Sequence, residues 1–111
     1  MDCIFCKIIN GDIPSSKVYE DETVFAFNDI NPQCEKHILV VPKEHISCAN
    51  EINENNSQLV SHIFEVIPKI AKENGFDSYR IINNCGAKVG QTVMHLHFHV
   101  LSGDNLGEKL V

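Results

Sequence analysis

The sequence predicts an α+β fold: a five-stranded, mostly antiparallel sheet with one short and one long helix. Three observations carry that prediction. Several short apolar-rich segments are joined by short links, one stretch repeats its apolar residues at helical spacing, and "HLHFHVL" at positions 95 to 101 alternates histidine with apolar residues.

In chain order, "CIFCKIIN" predicts a short helix, with Gly11 as its C-terminal cap. "SKVYED" and "TVFAFND" predict two strands around a turn at Asp21 and Glu22, and "KHILVVP" a third strand ended by Pro42. From about Ser57 to Asn74, Leu59, Val60, Ile63, Phe64, Ile67, Ile70 and Ala71 recur at helical spacing, and Gly75 stops the run. Pro68 lies inside that helix and removes one of its hydrogen bonds, so a kink is expected nearby. "DSYRIIN" predicts a fourth strand and the histidine segment a fifth, with the loop "NCGAKVGQTVM" between them.

At 111 residues there is room for one compact core, so residues 1–111 are expected to form a single domain. Apolar residues make up 43% and charged residues 22%, the profile of a folded chain. No stretch approaches the roughly 18 apolar residues of a spanning helix, and "MDCIFCKIINGD" lacks the form of a signal peptide, so no membrane partner and a cytoplasmic location are expected. Five cysteines, an odd number, argue against a disulfide framework, and Cys34, Cys48 and Cys85 read as ordinary small residues. Nine Lys and Arg are scattered among fifteen acids, giving a net charge of −6. A nucleic-acid polymer is therefore not an expected partner, although backbone amides and imidazoles can hold a single phosphate.

In a strand, His95, His97 and His99 share one face, and Leu96, Phe98 and Val100 the other. Three imidazoles in that register exceed what packing needs, because each buried ring requires its own partner. Two chemistries fit. The histidines could ligate a hydrolytic Zn²⁺, or one could act as a covalent nucleophile while its neighbours orient it and a phosphate. "GQT" at 90 to 92 adds a flexible backbone, an amide and a hydroxyl, a set better matched to phosphate oxygens than to a soft metal. Asp29 ends a strand, where it could accept from two sugar hydroxyls or simply make a turn.

"GQTVMHLHFHVL" resembles the signature of the histidine triad (HIT) family. "IFCKIINGDIPSSKVYEDETVFAFNDINPQ" and "HILVVPKEHI" extend the likeness over nearly the whole chain, toward the Hint-like branch of purine nucleoside phosphoramidases. The resemblance implies binding of purine nucleoside monophosphates and hydrolysis of P–N bonds in nucleoside phosphoramidates. It also implies a homodimer with joined sheets, and the short fifth strand is expected to leave the edge that pairs. By position, His97 looks like the nucleophile, His99 like the phosphate holder that assists the leaving amine, and His37 like their outlying support. Gly90, Gln91 and Thr92 match the phosphate-contacting loop, Asp29 with Ile30 the ribose site, and Asn84 the binding asparagine. Phe5, Ile8 and Leu39 would wall the base pocket, though ordinary core explains them equally well.

"CIFC" at 3 to 6 has the gap common to zinc sites and redox pairs. Many bacterial members of the family are similar here, and the resemblance implies a structural Zn²⁺ held by Cys3, Cys6, His45 and His95. Such a four-ligand set leaves no open position for chemistry. The chain departs from several relatives at its end, where "GDNLGEKLV" has no tryptophan. Two other classes stay open: a nucleotide-binding or interaction module with little turnover, and a metal-dependent hydrolase that uses the triad as ligands.

Overall fold

The computed structural model describes residues 3–104 and 106–107, so most of the distinctive tail after Leu106 lies outside the described residues. The elements are α1 (Ile4–Ile9), β1 (Lys17–Glu20), β2 (Val24–Asn28), β3 (Lys36–Pro42), α2 (Ser57–Glu73), β4 (Arg80–Ile82) and β5 (Phe98–Ser102), with single 3₁₀ turns at Ala49–Glu51 and Ala87–Val89. The strands form one sheet in the order β1-β2-β3-β5-β4, and every neighbouring pair is antiparallel. Among the described residues no helix is long and apolar enough to cross a membrane.

Side-chain chemistry sets the ends of these elements. The Cys3 sulfur caps α1 by accepting the Cys6 N–H, and Gly11 at φ +83° closes the other end in a conformation that a Cβ would strain. The β1–β2 turn forms because Asp21 Oδ1 accepts the N–H groups of Thr23 and Val24 at 2.9 and 2.8 Å. Gly75, at φ +73°, follows the Asn74 cap of α2.

Val24 to Phe27 and His37 to Pro42 are buried without a break, because both sheet faces are covered there. On one face Val24, Ala26, Ile38, Val40, Phe98 and Val100 meet the α2 stripe of Ile63, Val66, Ile67, Ile70 and Ala71. On the other, Phe25, Phe27, Leu39 and Val41 pack with Phe5 and Cys3 at the start of the chain. Each fully buried aliphatic side chain here is worth roughly 1.5–3 kcal/mol of transfer free energy. The α2 stripe differs from the sequence pattern in two places: Val66 is buried, and Phe64 is 46% exposed, its ring meeting that of Phe98 at 5.4 Å. The helix runs unbroken through Pro68. Pro68 is exposed, so its ring and the carbonyl left without a partner fall on the solvent side.

β5 is shorter than the histidine pattern predicts. It starts at Phe98, and His95 and His97 lie just before it. Val40 pairs with Phe98, so carrying the register two rungs further would set Leu96 opposite Pro42, which has no N–H to give. The chain bonds elsewhere: Leu96 N–H goes to the Ile46 carbonyl at 2.6 Å, and Asn83 Nδ2 donates to the His97 carbonyl at 2.8 Å. β4 is likewise trimmed from "DSYRIIN" to Arg80–Ile82. β5 is interior, between β3 and β4, so the free edge on that side of the sheet is β4 and not the fifth strand.

A polar cluster ties α2 to the β1–β2 turn. Asp21 Oδ2 meets His62 Nε2 at 2.7 Å and accepts the Tyr19 hydroxyl at 2.7 Å. Against burial, which raises it, bonds from His62, Tyr19 and the two turn amides hold the Asp21 carboxyl well below its ordinary 3.8, while Asp21 and then Glu65 raise His62 above 6.5. The His62 contribution is complete below pH 6.5 and is lost as pH rises through its raised folded value. The Asp21 contribution is complete above pH 3.8 and is lost as pH falls through its depressed folded value. Urea unfolding should therefore find His62→Ala less stable by about 0.5–1 kcal/mol after solvent screening, with the gap widest between those limits and closing on either side. A gap that does not change with pH would refute the ion-pair account.

Candidate functional site

Three histidines within five residues reach two different places, because backbone partners fix the proton on His95 and His97 and the His37 ring fixes it on His99. His95 is fully buried, and its Nε2–H donates to the Pro42 carbonyl at 2.8 Å, which leaves Nδ1 with a free lone pair. That nitrogen faces Cys3 Sγ at 3.3 Å, Cys6 Sγ at 3.6 Å and His45 Nδ1 at 3.2 Å, while Cys6 Sγ lies 3.4 Å from His45 Nδ1. All four donor atoms fall within 4.8 Å of one another. Around a tetrahedral Zn²⁺, with bonds of about 2.0 Å to nitrogen and 2.3 Å to sulfur, ligand atoms stand roughly 3.3–3.8 Å apart. The cluster fits that ion in donor type, number and spacing. Burial and the adjacent Cys3 push the Cys6 thiol up, so it stays protonated unless a cation offsets its charge. Burial also lowers His95 to about 4 and keeps it neutral, as a ligand must be.

His97 turns the other way. Its Nδ1–H donates to the His95 carbonyl at 2.7 Å, so Nε2 carries the lone pair. The Phe5 ring stands edge-on to it at 5.1 Å, and the His99 ring lies 5.0 Å away. His99 pairs across the ladder with Leu39, and His37 is the diagonal neighbour on the same face of β3. His37 Nδ1 accepts the Gln33 N–H at 3.1 Å, so its proton sits on Nε2 and points to His99 Nδ1 at 2.8 Å. The remaining His99 proton is thereby placed on Nε2. Asp29 Oδ2 lies 3.4 Å from His37 Nε2, and Asp29 Oδ1 accepts the Asn31 N–H at 2.8 Å. Burial lowers both rings, His99 to about 4, with the neighbouring His97 and His37 adding to that and Asp29 opposing it. Near pH 7 His37 and His99 are neutral.

His97 and His99 open onto a cavity of about 260 Å³. Phe5, Ile8, Phe27 and Leu39 make its apolar wall, and Asp29, Ile30 and Thr92 also line it. Ile30 is 89% exposed, an apolar side chain held out at the rim. Of the residues expected to bind substrate, Phe5, Ile8, Asp29, Ile30, Leu39, Thr92, His97 and His99 meet at this cavity. Asn84, Gly90 and Gln91 do not line it. Asn84 sits beside Gly90, which adopts φ +102°. Gln91 is 2% exposed and its amide is spent inside the protein, with Oε1 accepting the Gly86 N–H at 2.8 Å and Nε2 donating to the carbonyls of Ser47 at 2.8 Å and Val93 at 3.0 Å. It braces the loop rather than offering its amide to a ligand. Asn83 and Gln33, which hold His97 and His37, carried no sequence signal beyond Asn83 standing at a strand end, since Gln33 acts through its backbone. Ser15 and Asn28 also line the cavity, and sequence reasoning missed both.

Residues 2–110 match a family model described as scavenger mRNA decapping enzyme C-terminal binding. A solved histidine triad protein from Clostridium difficile is 58% identical, with a TM-score of 0.94 over 98% of this chain and 96% of that one. A HIT family hydrolase from Clostridium thermocellum is 47% identical, with a TM-score of 0.96 over 99% and 97%. The purine nucleoside phosphoramidase of Escherichia coli K12 is 41% identical over 111 residues, covering 98% of this chain and 93% of its own length.

Proposed function

This chain belongs to the histidine triad (HIT) family, whose members include hydrolases, and on that premise we propose that it cleaves the P–N bond of purine nucleoside 5′-phosphoramidates through a nucleotidyl-His97 intermediate. The observation that carries the reading is the His97 ring, pinned at Nδ1 by its own backbone with Nε2 open to a cavity that combines an apolar wall with an acidic rim. A purine suits the wall of Phe5, Ile8 and Leu39, and ribose hydroxyls suit Asp29. The phosphate then falls between Thr92, His97 and His99. The name of the Escherichia coli relative supports the same substrate class.

In this scheme Nε2 of His97 attacks phosphorus and the P–N bond breaks. The departing nitrogen takes a proton by way of the His99 Nε2–H, which water restores. The oxygen of that water then forms the new P–O bond, and His97 recovers its lone pair as the monophosphate leaves. His95 and His97 point to different sites, so the triad does not converge as one ligand set, which weighs against a triad-bound metal as the catalyst. His97→Ala should abolish hydrolysis, a loss of several powers of ten, while monophosphate binding weakens by no more than about 1 kcal/mol. Mass analysis of protein quenched during turnover should place the nucleotidyl group on His97. Near wild-type hydrolysis by His97→Ala would overturn the covalent reading.

The proposal includes a structural Zn²⁺ at Cys3, Cys6, His45 and His95, joining the start of the chain to the segment before β5; a reducing compartment such as the cytoplasm suits those thiols. Metal analysis of protein purified without chelator should find about one zinc per chain, and Cys6→Ala should lower zinc content and thermal stability together. Zinc-free, fully reduced protein of undiminished stability would remove the ion from the proposal.

We also propose a homodimer, paired on the side of the sheet bounded by β4, where Ile81 stays 36% exposed on an open strand edge. Sedimentation at micromolar concentration should show twice the 12.5 kDa chain mass, and a purely monomeric species would refute pairing.

A further inference from the structure

The spacing of "CIFC" fits a zinc site and a redox pair alike, and its geometry suits both. Cys3 caps α1, and Cys6 lies one helical turn further on with its N–H 3.4 Å from the Cys3 sulfur. Both sulfurs face one nitrogen, His95 Nδ1, at 3.3 and 3.6 Å, and they lie within 4.8 Å of each other. A shift of less than about 3 Å, shared between two short side chains, closes that gap to the S–S length of about 2.05 Å. Cys3 holds the extended conformation of a cap, at φ −89° and ψ 119°, so it can absorb the shift outside the regular helix. Access differs between the two. Cys3 is 9% exposed, whereas Cys6 is half-buried and meets a small oxidant from solvent first.

We propose that Cys3 and Cys6 are an oxidant-sensitive pair, which a peroxide joins in a reversible disulfide that gives up the zinc and loosens the active site. The Cys6 thiolate attacks one peroxide oxygen, the O–O bond breaks, and the departing hydroxide takes a proton from solvent to become water. The Cys3 thiolate then displaces the second oxygen from the Cys6 sulfenic acid as hydroxide, and another proton makes the second water. Two thiolates give up two electrons, and one peroxide is reduced. A disulfide carries no charge, so two of the four donors lose the anionic lone pairs that hold the cation. The sulfurs also turn away from His95 Nδ1, and that ring is then held through Nε2 at the Pro42 carbonyl. His97 feels the change on two sides. The His95 carbonyl takes its Nδ1 proton at 2.7 Å, and Phe5, carried between the two cysteines, meets its ring at 5.1 Å.

Zinc release and the loss of turnover rest on the zinc and phosphoramidase readings; the bond itself rests on neither. Protein as purified, treated with hydrogen peroxide beside a chromogenic zinc chelator, should release one zinc per disulfide formed, and none without the peroxide. After alkylation and digestion with trypsin, the peptide of residues 1–7 should carry no alkyl group and weigh two hydrogens less than its reduced form. A phosphine reductant with added zinc should reverse both changes. The triple variant Cys34→Ser, Cys48→Ser, Cys85→Ser should behave as wild type, since those thiols take no part. Recovery of Cys3 and Cys6 as alkylated thiols, as sulfinic or sulfonic acids, or bridged to other cysteines would overturn the pair. Phosphoramidate hydrolysis should fall several-fold on bridging and return with reductant and zinc. Unchanged turnover in fully bridged protein would overturn the coupling to His97. Protein that is zinc-free as purified would remove the release step, and protein that turns over no phosphoramidate would remove the functional reading. In either case the mass of the 1–7 peptide still decides the disulfide.

Discussion

One nitrogen of His95, His97 and His37 is committed to the backbone, and the other is thereby left for a single task. The Pro42 carbonyl takes the Nε2 proton of His95, the His95 carbonyl takes the Nδ1 proton of His97, and the Gln33 N–H occupies Nδ1 of His37. Free lone pairs then exist only where chemistry can use them: toward two sulfurs for His95, and toward the cavity for His97. Were the tautomers free to exchange, each ring would spend part of its time with a proton where an electron pair is needed. His37 passes this order to His99 through a 2.8 Å bond, so the proton facing the cavity at His99 is placed by a main-chain amide on the far side of His37.

The fold exists in the form needed to supply those partners. Pro42 ends β3 without an N–H, the ladder stops at Val40 and Phe98, and the chain before β5 is released to follow its own course. Both Pro42 and the 45 to 47 segment then receive it: His95 bonds to Pro42, Leu96 to Ile46, and Gln91 to Ser47. Leu96 still drops into the α2 core, which anchors the released segment by burial rather than by a strand ladder.

Much of this was legible in the sequence, and the limits have particular causes. The order of elements, the long helix and the alternation of Leu96, Phe98 and Val100 against the histidines follow from periodicity. The four residues of the Cys/His cluster and most of the cavity wall followed from family resemblance, and they do meet in space. What pattern could not show was where the period-2 segment stops being a strand, because that depends on the residue opposite, Pro42, some fifty positions earlier. Nor could it separate Gln91 from Thr92: both are polar and adjacent, but one is buried with every amide group spent and the other opens on the cavity. Gln33 was invisible for a simpler reason, since a backbone N–H has no sequence signature.

His95 links the two halves of the site through a single residue. Its ring belongs to the Cys/His cluster, and its carbonyl aims the His97 ring. Whatever fixes the ring therefore also limits the carbonyl, because ring and peptide share one Cα and the Pro42 bond leaves the side chain little rotation. With a metal on Nδ1, rotation of that ring would break two bonds at once; without it, only the Pro42 bond resists. On the proposed mechanism the cluster would bear on catalysis, because the carbonyl beside its buried ring sets how narrowly the His97 lone pair is held. A small angular spread at that nitrogen lowers the fraction of encounters in attacking geometry, and this loss appears in turnover rather than in ligand affinity. On that mechanism His95, whose ring lies in the Cys/His cluster, would act through the backbone it holds still.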